Sequence, residues 1–309
     1  MTTNLITSNP ITDGQKKQIR RLLEDAGDKA FQTIITFDNP SAQRLIMSGD
    51  KLADKLIVNA SELALGQFAD EEVESTYVYP AGYSAALVKP IGQQVDEIAK
   101  MFSLSLGYTI EFLEKVFPTL KLPDWAEGWF ASPSVDALAA RFFPKVKDPA
   151  ARYCEAVKII LAKIAESRSF YNYREGQITP NRYRMNAETA KAMALVMAQQ
   201  KGDVIVLPGQ FGMRHRGRSV RRGREMMIYP EFGPGAVTVG SMLLAHPARL
   251  VSYNDLWIDV PGDEFDCVGD GRFGDAPYLR FAGYEVEFGT YDVDDAGGRY
   301  GSASASIPQ

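Results

Sequence analysis

The spacing of apolar positions divides the chain into segments of different period. Residues 14–30 place Ile19, Leu22, Leu23 and Ala26 at i, i+3, i+4 and i+7, the stripe of an amphipathic helix, with Asp13 as its N-cap. Asn39-Pro40 opens a second helix with proline at its first position, and Gly49 interrupts it. The alternating, β-branched and aromatic run at 73–79 predicts a short strand. Helices are expected again at 91–102 and 108–117, the latter stopped by Pro118, followed by a packed loop from Leu122 to Trp129.

The strongest helical signal is 148–167. Asp148 and Pro149 occupy the N-cap and first helical positions, and Tyr153, Val157, Ile160, Leu161 and Ile164 share one face. Thr179-Pro180 predicts another start of this kind, running to Lys201-Gly202, where glycine can take the left-handed conformation. After Gly202 the period changes. DVIVLPGQFG is an apolar run ended by Pro208 and Gly209 and reads as a strand buried on both faces, 235–250 as a helix that His246-Pro247 ends or kinks, and 255–260 as a strand. Residues 277–291 read as a β-hairpin turning at Ala282-Gly283. The small, polar tail GGRYGSASASIPQ is expected to be disordered or held by a neighbouring copy. The fold class that follows is α+β: mainly helical to about residue 200, then a mixed α/β region over 201–309, the two sharing one core where the helix ending at 201 runs into the strand at 203.

Composition sharpens the division. Residues 1–200 hold 14 Lys and 9 Arg, whereas residues 201–309 hold one Lys and 10 Arg; glycine rises from 9 to 17 across the same boundary. Lysine suits exposed helix faces and arginine suits fixed, bidentate pairing, so the last third is expected to be tightly turned, with cations that have specific partners. A net charge of −5 over 309 residues, two cysteines and no long apolar run argue against a disulfide scaffold, a membrane span and a general duplex-DNA binder. With no secretory signal at the start of the chain, a cytoplasmic location is expected.

The densest chemical signal is RHRGRSVRRGR, which gathers Arg214, His215, Arg216, Arg218, Arg221, Arg222 and Arg224 in a glycine-bent stretch. Six cations this close repel one another, so folding must bring anions to them. One source is a phosphate-bearing ligand, nucleic acid or nucleotide. Tyr171, Tyr173 and Arg174 upstream supply the aromatic and cationic surface on which single-stranded bases stack. The other source is internal: residues 254–295 carry 12 carboxylates against Arg272 and Arg280. If the arginines are spent internally, the expected role is that of a structural or assembly protein, for instance of a virus or mobile element. A third reading is a metal-assisted phosphoester hydrolase, with Asp259, Asp263 and Glu264 holding Mg²⁺ or Ca²⁺ and Arg214 or Arg218 holding the phosphate.

The other candidates are weaker. Cationic neighbours should depress His215, allowing a neutral general base. His246 is expected to cap a helix C-terminus, and Cys154 to lie in the core. Gly233-Pro-Gly235 lacks the lysine of a phosphate loop, and no zinc-ligand spacing, G-x-S-x-G or H-E-x-x-H occurs. The sequence names no cofactor and no oligomeric state.

Overall fold

A computed structural model describes residues 12–65 and 71–309, and the chain divides into two units, at 1–67 and 68–309. The first holds α1 (Asp13–Ile34), α2 (Asn39–Ile46) and α3 (Gly49–Leu65). As the Asn39-Pro40 chemistry predicts, α2 has proline in its first turn, while Asp38 acts as the N-cap, accepting from the Ser41 amide at 2.9 Å. No side chain described in these three helices is buried.

The second unit contains both sides of residue 200. Its helices are α4 (Ile91–Phe102), α5 (Gly107–Lys115), α6 (Val135–Phe142), α7 (Pro149–Ser167), α8 (Ala187–Gln200), α9 (Val220–Met226) and α10 (Ala236–Ala245). Its strands are β1 (Gly128–Pro133), β2 (Phe170–Asn172), β3 (Tyr183–Met185), β4 (Val204–Gln210), β5 (Glu231–Phe232), β6 (Ile258–Asp259), β7 (Asp263–Phe265), β8 (Asp275–Ala282), β9 (Glu285–Asp292) and β10 (Ser304–Ser306). The class is therefore α+β.

One sheet has the order β1-β4-β10-β5 and is antiparallel throughout, with Gly128 opposite Gly209 and Ala305 opposite both Gly209 and Phe232. The second runs β2-β9-β8-β7-β3, with β6 also on β8 and the β2–β9 pair parallel. β4 explains why a continuous apolar run can be a strand: Val204 and Val206 enter the main core with α4, α7 and α10, while Ile205 and Leu207 enter a smaller core with Ala192 and Val196 of α8. In α7 the expected stripe is buried, and Asp148 accepts from the Ala151 amide at 2.7 Å. α10 is buried on almost every side, ends at His246 and continues as a 3-10 turn from Pro247 to Arg249.

Several expectations are corrected. Residues 73–79 form no strand, only single bridges from Glu72 to Arg218 and from Val78 to Asp255. Thr179-Pro180 makes a turn closed by the Tyr183 amide on Thr179 O at 2.8 Å. β3 follows, and the helix starts only after Asn186, whose side chain accepts from Thr189 N. The left-handed residue ending α8 is Lys201, at φ 54°. The expected strand at 255–260 shrinks to two residues. The hairpin turns at Gly283-Tyr284, both with positive φ, one residue later than expected. Trp129, assigned to a loop, lies in β1. The tail is neither disordered nor held by a neighbour: β10 is an inner strand of its own sheet, and residues 301–308 are buried.

Candidate functional site

Beyond β4 the chain turns at Gly212 into a 3-10 turn, Met213–His215, then bends at Gly217 (φ 75°) into α9, whose N-cap Ser219 accepts from Arg222 N at 3.0 Å. This is the glycine-bent path that the sequence implies, and it spreads the guanidinium groups over several acceptors. Arg214 Nε lies 3.1 and 3.2 Å from the two carboxylate oxygens of Glu231, with its guanidinium 5.3 Å from the Trp125 ring centre. Arg216 donates to Tyr77 O at 3.3 Å. Arg218 donates to Arg214 O at 3.1 Å and lies 3.6 Å from Glu72. Arg221 reaches Glu71 at 2.5 Å and Asp294 at 3.8 Å. Arg222 pairs with Glu72 at 2.5 Å and Glu225 at 3.4 Å. Arg224 is turned inward and donates to the backbone oxygens of Pro261 and Asp263, each at 2.8 Å.

All six arginines therefore meet acceptors of their own chain. Among the described residues, the carboxylates paired with them include Glu71, Glu72, Glu225, Glu231 and Asp294. Asp294 alone belongs to the acidic segment from which the partners were expected. The Arg221 hydrogen bond, seconded by Ser219 at 2.8 Å, holds the Glu71 carboxyl below its ordinary range despite burial.

Beneath this surface lies a sealed polar network. His215 Nε2 is 3.0 Å from Glu231 Oε1, and Ser304 Oγ donates to the same oxygen at 2.6 Å. Gln210 Nε2 donates to Ser304 Oγ at 3.0 Å and to Ser302 O at 2.9 Å. Burial alone would raise Glu231, but the hydrogen bonds of His215 and Ser304 and the charge of Arg214 outweigh it and hold the carboxyl low. His215 is buried, only 2% exposed. It ties the Arg segment to β5 and β10.

Tyr171 and Tyr173 are half-exposed and meet edge-to-face at 4.7 Å on the second sheet. Arg174 donates to Thr290 Oγ1 at 2.9 Å and lies over the Phe265 ring at 4.8 Å. Among the described residues these three share no hydrogen bond or ion pair with residues 214–224.

The acidic trio does not converge. Asp259 is fully buried, with no cation against its carboxylate. Asp263 accepts from the Tyr153 and Tyr183 hydroxyls at 2.5 Å each, and from Ala236 N at 2.8 Å at the start of α10. Glu264 faces Arg184 at 2.8 Å. Among the described residues no group of three or more metal-ligating side chains is placed to hold an ion. His246 caps α10 as a buried neutral ring, not a cation: Nδ1 is 3.1 Å from Met242 O, Nε2 accepts from Lys89 N at 3.0 Å, and burial lowers its pKa. Cys154 is core, and burial pushes its thiol up to about 12.

Two further surfaces are apolar. A groove of about 600 Å³, lined by Met185, Met193, Met197, Val237 and Tyr153, lies between α8 and the first turns of α7 and α10. In the N-terminal unit, Ile19, Leu22, Leu23 and Phe31 of α1, Ile46 and Met47 around the end of α2, and Leu52, Leu56, Ile57 and Val58 of α3 are all exposed, Leu22 at 67% and Met47 at 80%. The periodicity that identifies α1 in the sequence already contained this signal. What it could not show is that the stripe covers no core of its own. Glu71, Glu72, Glu231 and Ser304, which organise the Arg segment, carried no motif and are brought to it from distant parts of the chain.

No helix among the described residues is long and apolar enough to cross a membrane. Comparison of the chain with family models, curated proteins and solved structures returns no match.

Proposed function

We propose that this chain is a structural protein that assembles with copies of itself through its N-terminal helical unit. The observation that carries the reading is the exposure of the α1–α3 apolar side chains in a unit where no described side chain is buried. Apolar stripes of this extent on a soluble chain mark association surfaces, because burying each Leu or Ile gains about 1.5–3 kcal/mol. The pairing of Arg214, Arg216, Arg218, Arg221, Arg222 and Arg224 with acceptors of the same chain supports the same reading. A phosphate-bearing ligand, nucleic acid or nucleotide, would have to displace those contacts.

Light scattering coupled to size-exclusion chromatography of the full chain tests the reading. At tens of micromolar the mass is expected to be a multiple of 34.1 kDa, and Leu22→Asp with Leu23→Asp is expected to return it to one copy while the 68–309 unit stays folded. A parent protein that elutes as a single copy at that concentration overturns the proposal.

A further inference from the structure

We infer that α1 pairs with α1 of a second copy in antiparallel orientation, centred between Leu22 and Leu23. The inference rests on the assembly reading above and adds the geometry of the contact. Its first ground is shape. The stripe runs Ile19, Leu22, Leu23, Ala26, Ala30 and Ile34, large at Ile19–Leu23 and small at Ala26 and Ala30 before Ile34 ends the helix. An antiparallel arrangement about that centre sets Ile19 level with Ala26 of the second copy, so large side chains meet small ones and the backbones approach evenly. A parallel arrangement sets Ile19 on Ile19 and Ala26 on Ala26, crowding one end and leaving a void at the other.

The second ground is charge. Lys16, Lys17, Arg20 and Arg21 occupy the N-terminal half, and Glu24, Asp25 and Asp28 follow them, with Asp13 at the start and Lys29 near the end as the two exceptions. Antiparallel copies lay the basic half along the acidic half at both ends, whereas parallel copies stack like on like. This order also opposes the macrodipole of each helix, which favours acids at its start and bases at its end. Centred between Leu22 and Leu23, the two helices overlap over residues 13–32, a contact about 30 Å long. The pairing is self-complementary about a two-fold axis and closes at two copies.

Cysteine cross-linking of the full chain decides the orientation. Cys267 is exposed and is first replaced by serine, while Cys154 is buried. Ile19→Cys and Ala26→Cys are then placed separately in that background, one carrying a small tag. Under mild oxidation the mixture is expected to give a covalent dimer of mixed mass, and neither variant alone is expected to cross-link. Cross-linking of each variant with itself but not in the mixture means parallel pairing and overturns the inference while the assembly reading stands. A multiple-copy mass with no cross-link places the contact elsewhere and overturns the inference alone. A single-copy mass overturns both.

Discussion

Replacing Asp259 with asparagine tests whether the second body contains a carboxyl group that folding prefers protonated. Asp259 has no exposed surface, and its backbone joins the two sheets: its amide donates to Gly301 O at 3.0 Å and its carbonyl accepts from Ala303 N at 3.1 Å. Its side chain points among the Tyr291 and Ser302 hydroxyls, which moderate its pKa without a hydrogen bond of good geometry. Burial dominates and pushes the carboxyl up to about 7. The unfolded chain releases that proton near 3.8. Between those values the folded state binds the extra proton, so its contribution to stability is full below pH 4 and is lost as pH rises through about 7. At about 1.4 kcal/mol per pH unit the loss approaches 4 kcal/mol.

Asparagine keeps the shape and carries no charge. The stability of Asp259→Asn relative to the parent is therefore expected to rise with pH by up to about 4 kcal/mol between pH 4 and pH 7.5 and to level off outside that window. Taking the difference removes the opposite trend of Glu71 and Glu231, whose depressed values lose stability as pH falls. Urea unfolding followed by tryptophan fluorescence is the assay. Trp125, Trp129 and Trp257 all lie in the 68–309 unit, so the signal reports the body that holds Asp259. A difference that does not change with pH, or that grows less favourable to asparagine above pH 7, refutes the reasoning.

Three further outcomes follow from the same contacts. Arg218→Ala, Arg221→Ala and Arg222→Ala combined are expected to cost about 2–4 kcal/mol, because Glu71 and Glu72 lose their cations together. Chemical denaturation measures this, and a fully stable triple variant would show that the arginines are not structural. Ending the chain after Gly301 removes β10 from between β4 and β5 and is expected to abolish cooperative unfolding and near-ultraviolet dichroism; retention of either contradicts the inner-strand role. Gly235→Ala sets a methyl group against the Tyr153 hydroxyl and Asp263 Oδ1 and is expected to lower stability by about 1–3 kcal/mol, read by thermal melting.

Where the sequence carried local chemistry, it was legible. Asp148-Pro149 and the stripe that follows located α7 because cap, first residue and buried face all lie within one helix. β4 was legible from its continuous apolar run, but Pro208 and Gly209, which read as its end, pair with Trp129 and Gly128 and carry the strand on to Gln210. The failures are contacts between distant parts of the chain. Thr179-Pro180 has the chemistry of a helix start, yet Tyr183–Met185 pairs with Asp263–Phe265, and that pairing moves the start to Asn186. The Ser-Ala tail reads as disordered because its residues are small. Their smallness is what lets Ser304 and Ala305 lie between two strands and under Glu231. At the candidate site the sequence located the arginines and showed that they need anions, but Glu71 and Glu231 had no pattern to announce them.

The arginines and the N-terminal stripe answer one physical problem in opposite ways. Charges crowded into a bent segment must be neutralised, and here the body does so with its own residues, tying the first described part of the second unit in place: Val73 N donates to Gly217 O at 2.8 Å, and Ser219 N donates to Glu71 O at 2.9 Å. Forked guanidinium groups suit that task because each fixes a direction as well as a charge, which lysine does not. Apolar side chains on a single amphipathic helix have no comparable internal solution, since a helix cannot fold its stripe onto itself. A segment that needs anions can find them in its own chain; the stripe of α1, in a unit where no described side chain is buried, is completed on the assembly reading by a second copy. The arginines that look most reactive in the sequence thus meet partners in their own chain, and the plain amphipathic helix is the one whose apolar face is exposed.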